Sequence, residues 1–302
     1  MKIYNDIEKI PTGRASDKIT DGCLILEGGA WRGLYTLGVL DCLMINDINI
    51  RTTVGISSGA LCALGYTAGQ IGWGARIDLL YRHDRNYCGL GAYKRDHGIT
   101  GFSYLYGEIL DKHPLDEAAL MNPNRRMLAG VANMHTGKME YFEKGKDDIL
   151  RGVQASATVP YVSRPVMINN VPYLDGGCID KIPYEWAKEN MPSSKIVAIK
   201  TREWSYRRKE KPIKIAGVMY KDYPEFLSAM NKANARFNRM TDELAERNSK
   251  GEIYVIAPSE KVEVSRFEGD LDKLGDLYWR GYYDTERQID AIKLYLSDSS
   301  DS

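Results

Sequence analysis

Gly55-Ile56-Ser57-Ser58-Gly59 sets a hydroxyl at the centre of a Gly-x-Ser-x-Gly motif. Such a serine becomes a nucleophile when the chain bends sharply from a strand into a helix, because Gly55 and Gly59 leave room for the bend. The bend strains the serine backbone, and the helix that follows aims amide N–H groups and the positive end of its dipole at the serine oxygen. An anion that forms during attack on a carbonyl is stabilised there. The chemistry this supports is acyl transfer.

A second glycine turn, Gly28-Gly29-Ala30-Trp31-Arg32-Gly33, also follows an apolar stretch and opens a helix. Its amides can cradle a phosphate or an oxyanion. A dinucleotide site needs Gly-x-Gly-x-x-Gly with an acid at the end of the second strand. Here Ala30 stands at the third position, the second strand runs into Ile56-Ser57, and Asp47 lies before that strand. The Gly-Lys-Ser or Gly-Lys-Thr of a phosphate loop is absent. The better assignment is an oxyanion hole, in which each preorganised donor is worth about 3 kcal/mol.

The serine needs a base. The histidines are His83, His97, His113 and His135. A triad order of Ser57, Asp111 or Asp116, and His135 is available, but it leaves more than half the chain after the histidine without a catalytic part. A carboxylate is the alternative. Asp175-Gly176-Gly177 follows the apolar run Val171-Pro172-Tyr173-Leu174, and its glycines permit close backbone approach. An aspartate with a reference pKa of about 3.9 is a poor base, so burial must raise it or geometry must compensate.

The elements that hold these residues alternate. Cys23–Glu27 and Thr52–Ile56 read as strands, each leading through a glycine turn into a helix, over Leu34–Ile45 and Ala60–Ala68. Two such units point to a parallel sheet. Residues 84–113, rich in glycine and tyrosine, read as an excursion that could cap the site. Arg126–Met134 and Lys138–Phe142 form a hairpin, and Asp147 and Asp148 precede a helix over Ile149–Ala157. Short strands follow at Pro165–Ile168 and Val171–Leu174, then a strand at Lys195–Lys200, a long helix over Glu225–Glu246, a strand at Glu252–Ala257 and a helix over Leu271–Leu296. The expected organisation is a polar leader over 1–20, one three-layer α/β/α domain over 21–296 with a mostly parallel central sheet, and a frayed tail over 297–302.

Taken together and in order, Gly28–Gly33, Gly55–Gly59 and Asp175–Gly177 resemble the patatin-like phospholipase family, bacterial members included. The run from Ala155-Ser156-Ala157-Thr158-Val159-Pro160 to Asp175, then Ile182-Pro183, is similar to that family's approach to its aspartate. The likeness spans about residues 22–201. It implies Ser57 as nucleophile and Asp175 as the base that activates it, with the amides of Gly28, Gly29 and Ala30 as oxyanion hole. Arg32, Gly33, Gly55, Gly59, Gly176 and Gly177 are the supporting motif residues. It further implies hydrolysis of acyl esters in lipids, phospholipase, lysophospholipase or esterase, through an acyl-enzyme, with no metal and no cofactor. Two departures stand out: Ala30 replaces a glycine, and Asp180-Lys181 replaces a common asparagine.

Composition excludes other classes. The 302 residues carry 41 lysines plus arginines against 41 acids, a formal net charge of zero, which argues against nucleic acid as partner. No stretch approaches a membrane span, no secretory leader is evident, and Cys23, Cys42, Cys62, Cys88 and Cys178 form no CxxC pair, so a cytoplasmic protein is expected. Lys200, Arg202, Arg207, Arg208, Lys209, Lys211 and Lys214, interleaved with Trp204 and Tyr206, form either a solvated loop or a peripheral contact with anionic membrane. The rival readings are a non-catalytic lipid-binding protein and a nucleotide-binding protein using Gly28–Gly33. Oligomeric state is open.

Overall fold

The structure, a computed structural model, describes residues 2–210 and 214–297. Met1, Lys211 and the last five residues of the expected tail lie outside the described residues, as does the side chain of Lys214.

Eight strands make the central sheet: β1 (Thr20–Leu26), β2 (Ile50–Ile56), β3 (Arg126–Asn133), β4 (Met139–Glu143), β5 (Val166–Ile168), β6 (Val171–Asp175), β7 (Ile196–Ile199) and β8 (Tyr254–Ile256). Their order is β8-β7-β1-β2-β3-β6-β5, with β4 also on β3. The five strands from β8 to β3 are mutually parallel, while β4, β5 and β6 add antiparallel pairs. The sheet is therefore mixed and largely parallel. Cys23, Leu24, Ile25 and Leu26 are all fully buried, because helices cover both faces and the strand must be apolar on each.

Leu24, Leu26, Val197 and Ile199 face one helical layer, built from α1 (Gly33–Ile45), α2 (Ser58–Thr67), α3 (Trp73–Tyr81) and α7 (Leu271–Glu286). Cys23, Ile25, Ile196 and Ala198 face the other, with α5 (Tyr184–Asn190) and α6 (Pro224–Ser249). Every residue of α1 except Ile45 is buried, since α1 is clamped between the sheet and α7. At that crossing a Cβ on Gly38 would stand 2.0 Å from the Tyr278 carbonyl oxygen, and one on Gly281 would stand 2.1 Å from that of Tyr35. Only two glycines let the backbones come this close.

The hairpin appears as β3 and β4, and α4 (Ile149–Ser156) begins where Asp148 accepts a hydrogen bond from the Arg151 N–H. The expected helix over Leu271–Leu296 is two helices, α7 and α8 (Ile289–Ser297). Around the break, Gln288 Nε2 donates to the Asp284 carbonyl and the Tyr254 hydroxyl donates to Gln288 Oε1, so side chains take over where the helix stops. The excursion over 84–113 holds a helix at Leu90–Asp96 and a helical stretch at 102–112 whose middle, Leu105–Ile109, is a π turn.

One register detail positions the site. On β3, Gly130 pairs with Ile56 of β2, and the next residue, Val131, pairs with Asp175 of β6. Because β4 occupies the opposite edge over Leu128–Ala132, β2 and β6 must share a single edge of β3. β2 runs parallel to β3 and β6 antiparallel, so their C-terminal ends meet.

Candidate active site

Ser57 sits at φ +56° and ψ −124°, directly before α2. A non-glycine residue in that region stores about 1–3 kcal/mol of strain. Its neighbours explain how the turn closes: a Cβ on Gly55 would lie 2.5 Å from the Ala60 nitrogen, and one on Gly59 would lie 2.6 Å from the Leu26 carbonyl oxygen. The Ser57 N–H donates to Ser156 Oγ at 2.8 Å, and Ser156 Oγ donates in turn to the Gly130 carbonyl at 2.6 Å. Ser156, at the end of α4, thus ties the serine turn to β3.

The Ser57 hydroxyl donates to Asp175 Oδ2 at 2.7 Å. Asp175 Oδ1 accepts from the Gly177 N–H at 2.7 Å, which fixes the carboxylate plane. Gly176 packs onto β3, where a Cβ would be 2.4 Å from the Gly130 carbonyl oxygen. Both side chains are nearly sealed, Ser57 at 7% exposure and Asp175 at 9%. Burial pushes the Asp175 carboxyl above its usual range, opposed chiefly by the Lys181 charge and then by the Ser57 hydrogen bond. A carboxylate that holds its proton more tightly is a better acceptor of the serine proton.

The glycine loop lies across this pair. The Gly28 N–H is committed to the Lys181 carbonyl at 3.0 Å, and the Gly29 N–H to Ser58 Oγ at 2.9 Å. The Ala30 N–H has no hydrogen-bond partner among the described residues. Ala30 itself takes φ +52°, the left-handed region that favours glycine, so the alanine carries strain at this turn. At the first turn of α2 the Ser58 and Gly59 N–H groups have no acceptor within the helix. The loop and the helix start that flank Ser57 thus leave the amides of Ala30, Ser58 and Gly59 without an acceptor among the described residues. Gly33 lies against Ser58, a Cβ there being 3.1 Å from that of Ser58. Arg32 is buried and donates to the Val264 carbonyl at 3.3 Å.

Two chambers open on Ser57. One, of about 110 Å³, is apolar, walled by Leu61, Trp73, Ile77, Leu105 and Val159. The excursion over 84–113 forms part of its wall through Tyr87, Cys88 and Ile99. The other, of about 90 Å³, carries the charged groups, with Asp175, Lys181, Arg208 and Arg266 among its walls beside Val159, Tyr161 and Met230. None of the four histidines lines either chamber; His135 is exposed and stacks on Tyr223. Among the described residues no cluster of His, Cys, Asp or Glu is arranged to hold a metal ion.

Sequence reasoning missed Ser58, Ser156, Lys181, Arg208 and Arg266 as site residues. Ser156 stood inside a run already singled out, but the pattern carries no sign of its bond to Ser57. The basic stretch turns out to be split: Lys200 is 1% exposed and stands over Trp204 and Phe237, and Arg202 stands over Tyr206. Lys200 is therefore closed to a membrane surface, whereas Arg207 and Lys209 are exposed.

No helix among the described residues is long and apolar enough to cross a membrane. Residues 24–188 match a family model described as patatin-like phospholipase, and residues 223–297 match one described as a domain of unknown function, DUF6363. The chain is 27% identical over 207 residues to "Probable lipid hydrolase 463L" of Invertebrate iridescent virus 6, a match covering 61% of this chain and 71% of that one. It is 28% identical over 169 residues to "Uncharacterized protein YjjU" of Escherichia coli strain K12, covering 54% of this chain and 47% of that relative. Among solved structures, VipD from Legionella pneumophila superposes with a TM-score of 0.52 at 12% identity, over 96% of this chain and 71% of that one. That likeness concerns the fold.

Proposed function

The chain belongs to the patatin-like phospholipase family, and we propose that it is a serine acyl hydrolase of lipid esters in which Ser57 and Asp175 act as a dyad. The observation that carries this reading is the 2.7 Å bond from the strained Ser57 hydroxyl to a buried carboxylate. Asp175 Oδ2 takes the proton as Ser57 Oγ bonds to the ester carbonyl carbon. The carbonyl electron pair moves onto oxygen, which the amides of Ala30 and Ser58 receive, with Gly29 joining if it releases Ser58 Oγ. Collapse breaks the bond to the alcohol, which leaves with the proton from Asp175. Water then repeats the sequence on the acyl-serine and releases the carboxylic acid.

The lipid substrate class is supported by the family's description and by the viral relative named a probable lipid hydrolase. The apolar chamber beside Ser57 suits an acyl chain. A fluorophosphonate probe with peptide mapping tests the reading: label on Ser57 together with turnover of a micellar acyl ester is expected. Label elsewhere, or none with no turnover, defeats it.

A further inference from the structure

One wall of the apolar chamber breaks its hydrocarbon character. Among the described residues Asp78, on α3, is the one carboxyl that lines it. Its Oδ1 accepts from the Tyr87 hydroxyl at 2.7 Å, and its Oδ2 has no hydrogen-bond or ion-pair partner among the described residues. Arg82, the cation whose charge Asp78 feels, is committed elsewhere: it donates to the carbonyls of Phe267 and Glu268 and stands over Trp31 at 4.5 Å. Burial pushes the Asp78 carboxyl up to about 6, yet the residue keeps some open surface. That surface belongs to the chamber wall.

Thr100 belongs to the same chamber wall. It faces Cys88 across an antiparallel bridge, and the N–H of its neighbour Gly101 donates to the Tyr87 carbonyl at 2.8 Å. Tyr87 thus holds Asp78 through its hydroxyl and the stretch carrying Thr100 through its backbone, which brings both residues to one side of the chamber. Thr100 is half-buried, and its hydroxyl has no partner among the described residues. Anchoring the 84–113 excursion to α3 needs Oδ1 alone. A free carboxyl oxygen and a free hydroxyl exceed that need, and both are costly when they face hydrocarbon.

We propose that Asp78 and Thr100 form a polar subsite inside the acyl chamber and select acyl chains that carry a hydroxyl group along their length. The proposal rests on the hydrolase reading, since only that reading puts an acyl chain in this chamber. An alcohol hydroxyl both donates and accepts, and the wall offers one partner of each kind: Asp78 Oδ2 accepts and the Thr100 hydroxyl donates. A plain chain strips water from both groups and returns no hydrogen bond, so it is disfavoured. A ketone only accepts and meets the carboxyl oxygen with repulsion.

The test compares turnover of 1-decanoylglycerol by the full chain with that of derivatives bearing one hydroxyl, or one ketone, at successive positions along the chain. At a favoured position the hydroxylated ester is expected to exceed the plain one about tenfold or more in kcat/KM, with no such gain for the ketone. Taken within each protein, that ratio should fall to about one in Asp78→Leu/Tyr87→Phe, which removes both partners of a buried bond together. Thr100→Val, which exchanges the hydroxyl for a methyl group, should lower it about threefold. A ratio at or below one at every position, an equal gain for the ketones, or a ratio unmoved in both variants overturns the subsite, while turnover of the plain ester spares the hydrolase reading. Titration calorimetry with decanoic acid and its hydroxy acids isolates the opposite failure. Tighter binding of a hydroxy acid with turnover of no ester retains the subsite and defeats the hydrolase reading, and neither preference nor turnover defeats both.

Discussion

Ser57 and Asp175 reach their 2.7 Å contact from opposite directions along one edge of β3, at the adjacent positions Gly130 and Val131. Their spacing is thus set by the register of a strand that contributes neither group. Replacing Asp175 by asparagine keeps an oxygen for the Gly177 N–H and removes the proton acceptor. The expected result is a loss of about 10³-fold or more in kcat with the melting temperature nearly unchanged, measured by ester turnover and calorimetry. Residual activity within tenfold of wild type would mean that another group takes the proton.

The pH profile follows from the raised carboxyl of Asp175. The group must be ionised to act, so kcat/KM falls as pH drops through its elevated pKa, and the acid limb lies above the ordinary aspartate range. The Lys181 charge is the largest opposing influence. Lys181→Met should therefore move the acid limb to higher pH. A limb that stays put in this variant contradicts the coupling.

Ser156→Ala leaves the buried Ser57 N–H without its acceptor and frees the Gly130 carbonyl. An unsatisfied buried donor costs about 1–3 kcal/mol. Because the bond fixes the strained turn, kcat should drop by about tenfold or more while KM changes less, and the fluorophosphonate labelling rate should fall in step. A change confined to KM argues against a positioning role.

At the α1–α7 crossing, Gly38→Ala or Gly281→Ala drives a methyl group into a backbone carbonyl. Neither helix can yield without unpacking the layer. A loss of about 3 kcal/mol or more is expected, read as a fall of roughly 6 °C or more in melting temperature.

Asp41, on α1, is buried, accepts from the Gly72 N–H and the Tyr278 hydroxyl at 2.8 Å each, and is pushed up to about 7 by burial. With the folded pKa above the unfolded one, the folded state holds the extra proton, and stability from this group is lost as pH rises from about 4 to 7. Asp41→Asn should flatten that decline and be at least as stable as wild type at pH 8, whereas Asp41→Ala should be less stable at every pH. Thermal melts across that window decide it.

Much of this was legible from residue order alone. Strand, glycine turn and helix recur around Gly28 and Gly55 because a parallel sheet buried on both faces requires continuous apolar strands and tight exits. Ser57 was legible as a candidate because the steric demands of its turn leave glycines behind, whereas Asp175 was legible only through the likeness to the family's motif, since an isolated Asp-Gly-Gly also marks an ordinary turn. Lys181, Arg208 and Arg266 were not, since they lie far apart in the chain and only tertiary folding turns them to one chamber. The stretch at 200–214 illustrates the limit: a run of cations shows charge but not which side chains, such as Lys200, turn into the core. The break between α7 and α8 was equally invisible, as the apolar period carries on past Gln288.

The back-to-back packing of Gly38 and Gly281 joins two stretches that match separate family models. Neither stretch can drift alone: a bulkier residue at position 38 demands a shift of the partner helix around 278–282, and the reverse holds. Across related chains carrying both parts, these columns should change together, and a shortened chain ending near residue 201 should expose the greasy back of α1 and clump rather than fold.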